Sequence, residues 1–169
     1  MMSTPISRKG LNRLLEELDR LKRDRPLISK IIQEAREEGD LSENAAYDAA
    51  RERQGLQEAR ISYIESRLSR LEVVDFSRLR GDKVIYGAKV RLHDQDTEEE
   101  KEYTLLGPDE FDLVKGGISV ESPVAVSLLG KEVGDEISVE APRGRICYEI
   151  IDLAFPGEAM FRADEDEGG

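Results

Sequence analysis

The sequence predicts an α+β chain, an N-terminal antiparallel coiled-coil hairpin followed by a small antiparallel-sheet domain. Three observations carry this: a helical seam that mirrors itself about an acidic stretch, a switch to strand-like alternation after residue 82, and a composition unsuited to one large core. Apolar residues fall at Leu11, Leu14, Leu18, Leu21, Ile28, Ile32 and Ala35 before the stretch Glu37-Glu38-Gly39-Asp40-Leu41-Ser42-Glu43-Asn44. They fall at Tyr47, Ala50, Ile61, Ile64, Leu68 and Leu71 after it. Steps of three and four residues mark the face of a helix packed on another helix. Folding the chain at Leu41 sets Leu14 against Leu68, Leu18 against Ile64, Leu21 against Ile61, Ile32 against Ala50 and Ala35 against Tyr47.

Composition limits the classes of function. Of 169 residues 37% are charged and 5% aromatic, with no Trp, which suits an elongated, water-facing chain. The net charge is -12, and the excess is uneven: residues 1–75 hold 14 basic and 15 acidic residues, so the second half carries nearly all of it. An acidic surface repels naked duplex DNA, because nonspecific binding neutralises phosphates with Lys and Arg, so a protein partner is expected. The single Cys147 excludes an internal disulfide and suits a reducing cytoplasm. Its place in the alternation Arg145-Ile146-Cys147-Tyr148-Glu149-Ile150 predicts a buried structural thiol. No apolar run resembles a signal peptide or reaches the roughly 20 residues that span a bilayer. A cytoplasmic protein with no membrane association is expected.

In chain order, residues 1–4 are expected to fray, with Ser7 as a candidate N-cap for the first helix. Pro26 predicts a kink or local break near residues 22–26, because it has no N–H for the Lys22 carbonyl. At that level Arg25 is expected to face Gln57 and Ile28 to face Gln54. Such a polar layer can fix register or lend the stalk flexibility. Roughly 30 helical residues per arm give a reach of about 45 Å. The hairpin is assigned to residues 1–75, a linker to 76–82 and the second domain to 83–157. Within it strands are expected over 83–92, 103–106, 118–120, 136–140 and 144–155, with a short helix at 124–129 capped by Ser122-Pro123 and stopped by Gly130. Residues 158–169 read as a disordered acidic tail.

The chemistry-bearing residues sit at the turn. Gly39 can close the first helix, and Asp40-Leu41-Ser42-Glu43 has capping-box spacing. The same two carboxylates, one turn apart, suit weak Mg²⁺ binding that leaves positions for water and phosphate oxygens. Spacing alone leaves both readings open. Arg36 and Arg51 flank the turn, either as solvated side chains or as a small basic patch for single-stranded RNA. Elsewhere, a lone His93 beside an acidic loop reads as a surface residue. Gly116-Gly117 lacks the strand, loop and helix order of a phosphate cradle, and zinc-ligand spacing is absent.

The run Glu34-Ala35-Arg36-Glu37-Glu38-Gly39-Asp40-Leu41-Ser42-Glu43-Asn44-Ala45-Ala46-Tyr47-Asp48-Ala49-Ala50-Arg51-Glu52 resembles the tip signature of the bacterial Gre transcript cleavage factors. Ser122-Pro123-Val124-Ala125, with Leu128-Leu129-Gly130-Lys131-Glu132-Val133-Gly134-Asp135, resembles their C-terminal domain, and the likeness spans residues 5 to about 155. The resemblance implies an FKBP-like second domain that docks at the mouth of the RNA polymerase secondary channel while the hairpin enters the channel. It implies that Asp40 and Glu43 help hold a Mg²⁺ ion shared with the polymerase, and that Arg36 and Arg51 contact the nascent RNA 3′ end. It assigns Ser122 and Pro123 to docking. A monomer that is not itself a nuclease, but stimulates cleavage of backtracked RNA by the polymerase, is then expected. Two rivals remain at this point: a Gre-fold inhibitor that occupies the channel without cleavage, and a prolyl isomerase, which the scarcity of aromatics disfavours.

Overall fold

A computed structural model of the chain describes residues 3–37 and 44–161. The chain divides into two compact units, one of Leu11–Leu71 with the extreme N-terminus, the other of Thr4–Gly10 with Glu72–Gly169.

The first unit is the hairpin of α1 (Arg8–Glu37) and α2 (Ala45–Leu68). At 1.5 Å per residue these arms are about 45 and 36 Å long. The mirrored seam is buried as its periodicity requires: Leu14, Ile28, Ile32, Ala35, Ala50, Ile61 and Ile64 are all inaccessible or nearly so. Ile28, Ile32 and Ala50 form one cluster with Ile31 and Tyr47 against it. Outside the seam the arms are joined by charge. Arg60 makes two bonds to Glu17, 2.7 and 2.9 Å, Arg25 two to Glu58, 2.8 and 2.9 Å, and Lys22 meets Glu65 at 3.1 Å. Exposed pairs contribute little each, about 0.2–1 kcal/mol, so the apolar seam holds the arms and the ion pairs bias their register.

The local break allowed for at Pro26 is absent: α1 is continuous through it, because apolar packing on either side of the proline outweighs one missing hydrogen bond. Arg25, Ile28, Gln54 and Gln57 line one cleft at this level, as the folding rule expects; within it the Arg25 guanidinium bonds to Glu58 and the Gln57 amide reaches the Leu21 carbonyl at 2.7 Å. The long guanidinium extends to the exposed side and leaves the part-buried position to the neutral amide.

The second unit is built on a five-stranded sheet of β3 (Lys89–Asp94), β4 (Glu100–Leu106), β5 (Gly117–Ser119), β6 (Glu136–Ala141) and β7 (Gly144–Ala154), in the order β5-β4-β3-β7-β6. It is antiparallel except at one edge, where β5 runs parallel to β4, because ten residues with a 3-10 turn (Phe111–Leu113) separate them instead of a hairpin. The register slips between Arg91 and Leu92 against β7, a bulge that keeps Leu92 and Ile150 facing inward. α3 (Pro123–Leu128) covers that inner face with Ala125 and Leu128, closing a core of Val84, Val90, Leu92, Leu105, Ile137, Tyr148 and Ile150. Gly117 is required where β5 begins: a Cβ there would sit 1.9 Å from the Phe111 carbonyl oxygen, so the glycine pair is structural. Cys147 is half-buried, less enclosed than its alternation suggests.

The N-terminal segment, the stretch 76–82 and the start of the expected tail differ from their sequence reading. Thr4–Ile6 forms β1, which pairs with β2 (Leu71–Val73), and the Val74 amide donates to the Ile6 carbonyl at 2.9 Å. Ser7 caps α1 as expected, its Oγ accepting from the Gly10 amide at 2.9 Å. The stretch read as a linker holds a 3-10 turn (Phe76–Arg78) with Phe76 buried. A second core joins Phe76 and Leu106 to Met160 and Phe161, so the chain remains packed beyond Glu158; residues 162–169 lie outside the described residues. Phe76 and Phe161 stack with centroids 5.7 Å apart.

Candidate functional site at the joined end of the hairpin

α1 ends at Glu37 with Arg36 in its last turn, where a cation complements the helix dipole. α2 begins at Ala45 behind Asn44, whose side-chain oxygen accepts from the Tyr47 amide at 2.8 Å. The Asn44 side-chain amide donates to the carbonyl of Ala35 in α1. The expected capping box, Asp40 to Glu43, falls on residues outside those described; the observed cap of α2 is Asn44.

Tyr47, one turn into α2, brings the two candidate arginines into one electrostatic neighbourhood. The Arg36 guanidinium lies 5.8 Å from the Tyr47 ring centroid, a cation–π arrangement, and its Nη2 donates to the phenol oxygen at 3.5 Å. That hydrogen bond, then the charges of Arg36 and Arg51, holds the Tyr47 phenol below its ordinary range, against opposition from desolvation and Asp48. Arg51, four residues further along α2, donates from Nη1 to Gln54 Oε1 at 3.0 Å. Both arginines are exposed, so their guanidinium groups are open to phosphate.

The other candidates have structural duties. Ser122 Oγ accepts from the Ala125 amide at 3.4 Å and donates to the Ser119 carbonyl at 2.7 Å, while Pro123 occupies the first turn of α3. The residues that follow leave apolar side chains exposed, which sequence reasoning missed: Val126 is 60% exposed, Val133 53% and Leu129 39%. Val126 and Leu129 line a recess of about 470 Å³ with Lys131 and Glu136. Nothing in the residue pattern separates these apolar positions from those α3 buries. Among the described residues no three His, Cys, Asp or Glu side chains gather as a metal cage. No helix among them is long and apolar enough to cross a membrane.

Residues 4–73 match the family described as transcription elongation factor, N-terminal, and residues 79–155 match transcription elongation factor, GreA/GreB, C-term. The chain belongs to the GreA/GreB family of transcription elongation factors. It is 62% identical to transcription elongation factor GreA of Nitratidesulfovibrio vulgaris strain Hildenborough, with 93% of this chain and 96% of that protein covered. The GreA of strain Miyazaki F is 64% identical over 93% of this chain and 98% of its own, and that of Mesorhizobium japonicum is 49% identical over 92% and 99%. The two GreA/GreB matches part between Val73 and Leu79, where the Phe76–Arg78 turn lies. Met160 and Phe161 lie beyond the GreA/GreB C-terminal match, although they complete its second core.

Proposed function

We propose that this chain is a transcript cleavage factor: its hairpin enters the secondary channel of RNA polymerase and stimulates the polymerase's own cleavage of backtracked nascent RNA. The observation that supports this most is the placement of Arg36 and Arg51 around Tyr47, on the turns that border the segment carrying Asp40 and Glu43. In the sequence, cations that can take a phosphodiester backbone thus flank carboxylates that can act on it.

The donor set fits Mg²⁺. Asp40 and Glu43 offer hard carboxylate oxygens with no His or Cys close in sequence, and two such groups bind Mg²⁺ weakly enough to share it. When bound, the ion supplies Lewis-acid chemistry for phosphodiester cleavage in the polymerase active site. Asp40 and Glu43 would hold the ion, and their remaining lone pairs would accept hydrogen bonds from water and orient it. Arg36 and Arg51 pair with phosphates of the extruded RNA 3′ end by charge-assisted hydrogen bonds. Ser122 and Pro123 meet the polymerase at the channel mouth, together with the exposed Val126 and Leu129 that follow them. The chain acts as a monomer in the cytoplasm and has no nuclease activity of its own.

The test is addition of the purified protein with Mg²⁺ to stalled, backtracked elongation complexes. Release of short RNA fragments from the 3′ end is the expected result. Slowed elongation with no such fragments identifies an inhibitor and overturns the reading.

A further inference from the structure

We infer that the level of the hairpin at Pro26 and Gly55 is a compliant joint in the stalk, and that Gln57 is the positioning residue that restrains it. Both arms are weakened at this level. In α1, Pro26 has no N–H, so the Lys22 carbonyl lacks its helical donor. In α2, Gly55 is the residue with the weakest helical preference after proline, and packing does not require it: a Cβ there would meet nothing within 4 Å.

The packing between the arms lapses at the same place. Ile28, Ile32 and Ala50 are buried on the tip side and Ile61 and Ile64 on the other. Between them lies a cleft of about 120 Å³ lined by Arg25, Ile28, Ser29, Gln54, Gln57 and Glu58. Polar walls take up water, so this level resists bending less than the close-packed seam does.

Gln57 spans the lapse. Its Nε2 donates to the Leu21 carbonyl at 2.7 Å, next to the carbonyl that Pro26 deprives, and the bond is part-buried, hence less screened than the exposed ion pairs. It ties side chain to backbone, which fixes the arms more closely than Arg25–Glu58, where two long side chains meet. Gln54, which lines the same cleft, accepts from Arg51, so displacement here also reaches a candidate RNA contact.

Leverage makes the restraint matter. Eleven residues of α1 follow Pro26 up to Glu37, about 16 Å of helix, so a tilt of about 10° moves that end by about 3 Å. Catalytic groups misplaced by about 1 Å can lose about a hundredfold in rate. An unrestrained joint therefore spreads the tip over positions in which its carboxylates do not work.

The cleavage arm of the test rests on the function proposed above, and the exchange arm does not. Gln57→Leu removes the donor without opening a cavity, while Gly55→Ala stiffens α2 without a clash. Amide exchange and RNA cleavage are measured on the full chain and on the single and double variants. In Gln57→Leu, exchange at residues 23–30 and 53–58 rises about tenfold, and the cleavage rate at saturating factor falls about five- to tenfold. The concentration of factor giving half that rate stays within about twofold, because docking is untouched. Adding Gly55→Ala restores most of both losses. Unchanged exchange in Gln57→Leu, a loss that appears as a raised half-saturating concentration, or failure of Gly55→Ala to restore exchange overturns the inference. If the unaltered chain stimulates no cleavage, the function falls and the exchange comparison alone decides the joint.

Discussion

Asn44 donates its side-chain amide to the backbone carbonyl of Ala35, which ties the first turn of α2 to the last turns of α1. The same side chain caps α2 at Tyr47, so one residue satisfies two helix ends. Asn44→Ala is expected to cost about 2 kcal/mol, about 1 for the cap and about 1 for the bond across the arms. Asn44→Asp keeps the acceptor and loses the donor, and should cost about half as much. Urea unfolding of the two variants checks the division.

Glu110 has the corresponding place in the second unit. Fully buried, it accepts from the Ser7 amide at 2.9 Å, from the Gly107 amide at 3.3 Å and from the Tyr86 hydroxyl. Gly10 leaves room for it: a Cβ there would lie 2.8 Å from Glu110 Oε1 and 2.9 Å from its Cβ. Gly10→Ala should therefore destabilise by about 1–3 kcal/mol through crowding. Glu110→Ala, which leaves buried donors unpaired, should cost about 3 kcal/mol or more. Calorimetry of both variants tests this, and a Gly10→Ala protein as stable as the parent would show that Glu110 can shift.

Phe161 tests where the fold stops. It is 3% exposed and stacked on Phe76, so Phe161→Ala should cost about 3–5 kcal/mol, whereas a residue in a solvated tail would cost nothing measurable. Thermal unfolding separates the two outcomes.

These residues also show what was legible in the sequence. The seam from Leu14 to Ile64 is readable because each buried position repeats a helical period over many turns, and the alternation of β3 and β7 is readable for the same reason at period two. β1 is three residues long and pairs with a segment more than sixty residues away, so it has neither period nor local turn to announce it. Glu110 follows Gly107-Pro108-Asp109, a turn signal in which a carboxylate reads as solvated; its burial depends on donors from distant Ser7 and Tyr86. Met160 and Phe161 are two apolar residues before an acidic run, too few to form a pattern. At the joined end of the hairpin, Arg36 and Arg51 are legible from their flanking positions, but the contact of Arg36 with Tyr47 depends on the pairing of the two arms.

Acid should weaken the hairpin. The Arg60 hydrogen bond, then its charge, holds the Glu17 carboxyl below its ordinary value of 4.5, and Arg25 does the same for Glu58. A carboxyl whose folded pKa lies below its unfolded one contributes stability that is present above the unfolded value and is lost as pH falls through the folded value. Hairpin stability should therefore decline on acidification below about pH 4.5, and Arg60→Met should flatten that decline. Unfolding free energies across this range, with and without the substitution, give the comparison; equal slopes would remove Glu17 from the account.

Whether the stalk serves to carry two carboxylates is decided by RNA cleavage in backtracked complexes with Asp40→Ala and Glu43→Ala, alongside a measure of polymerase binding. Either substitution is expected to lower Mg²⁺-dependent cleavage at least about a hundredfold while binding persists. Cleavage left intact by both substitutions would contradict it and leave the acids with a structural role alone.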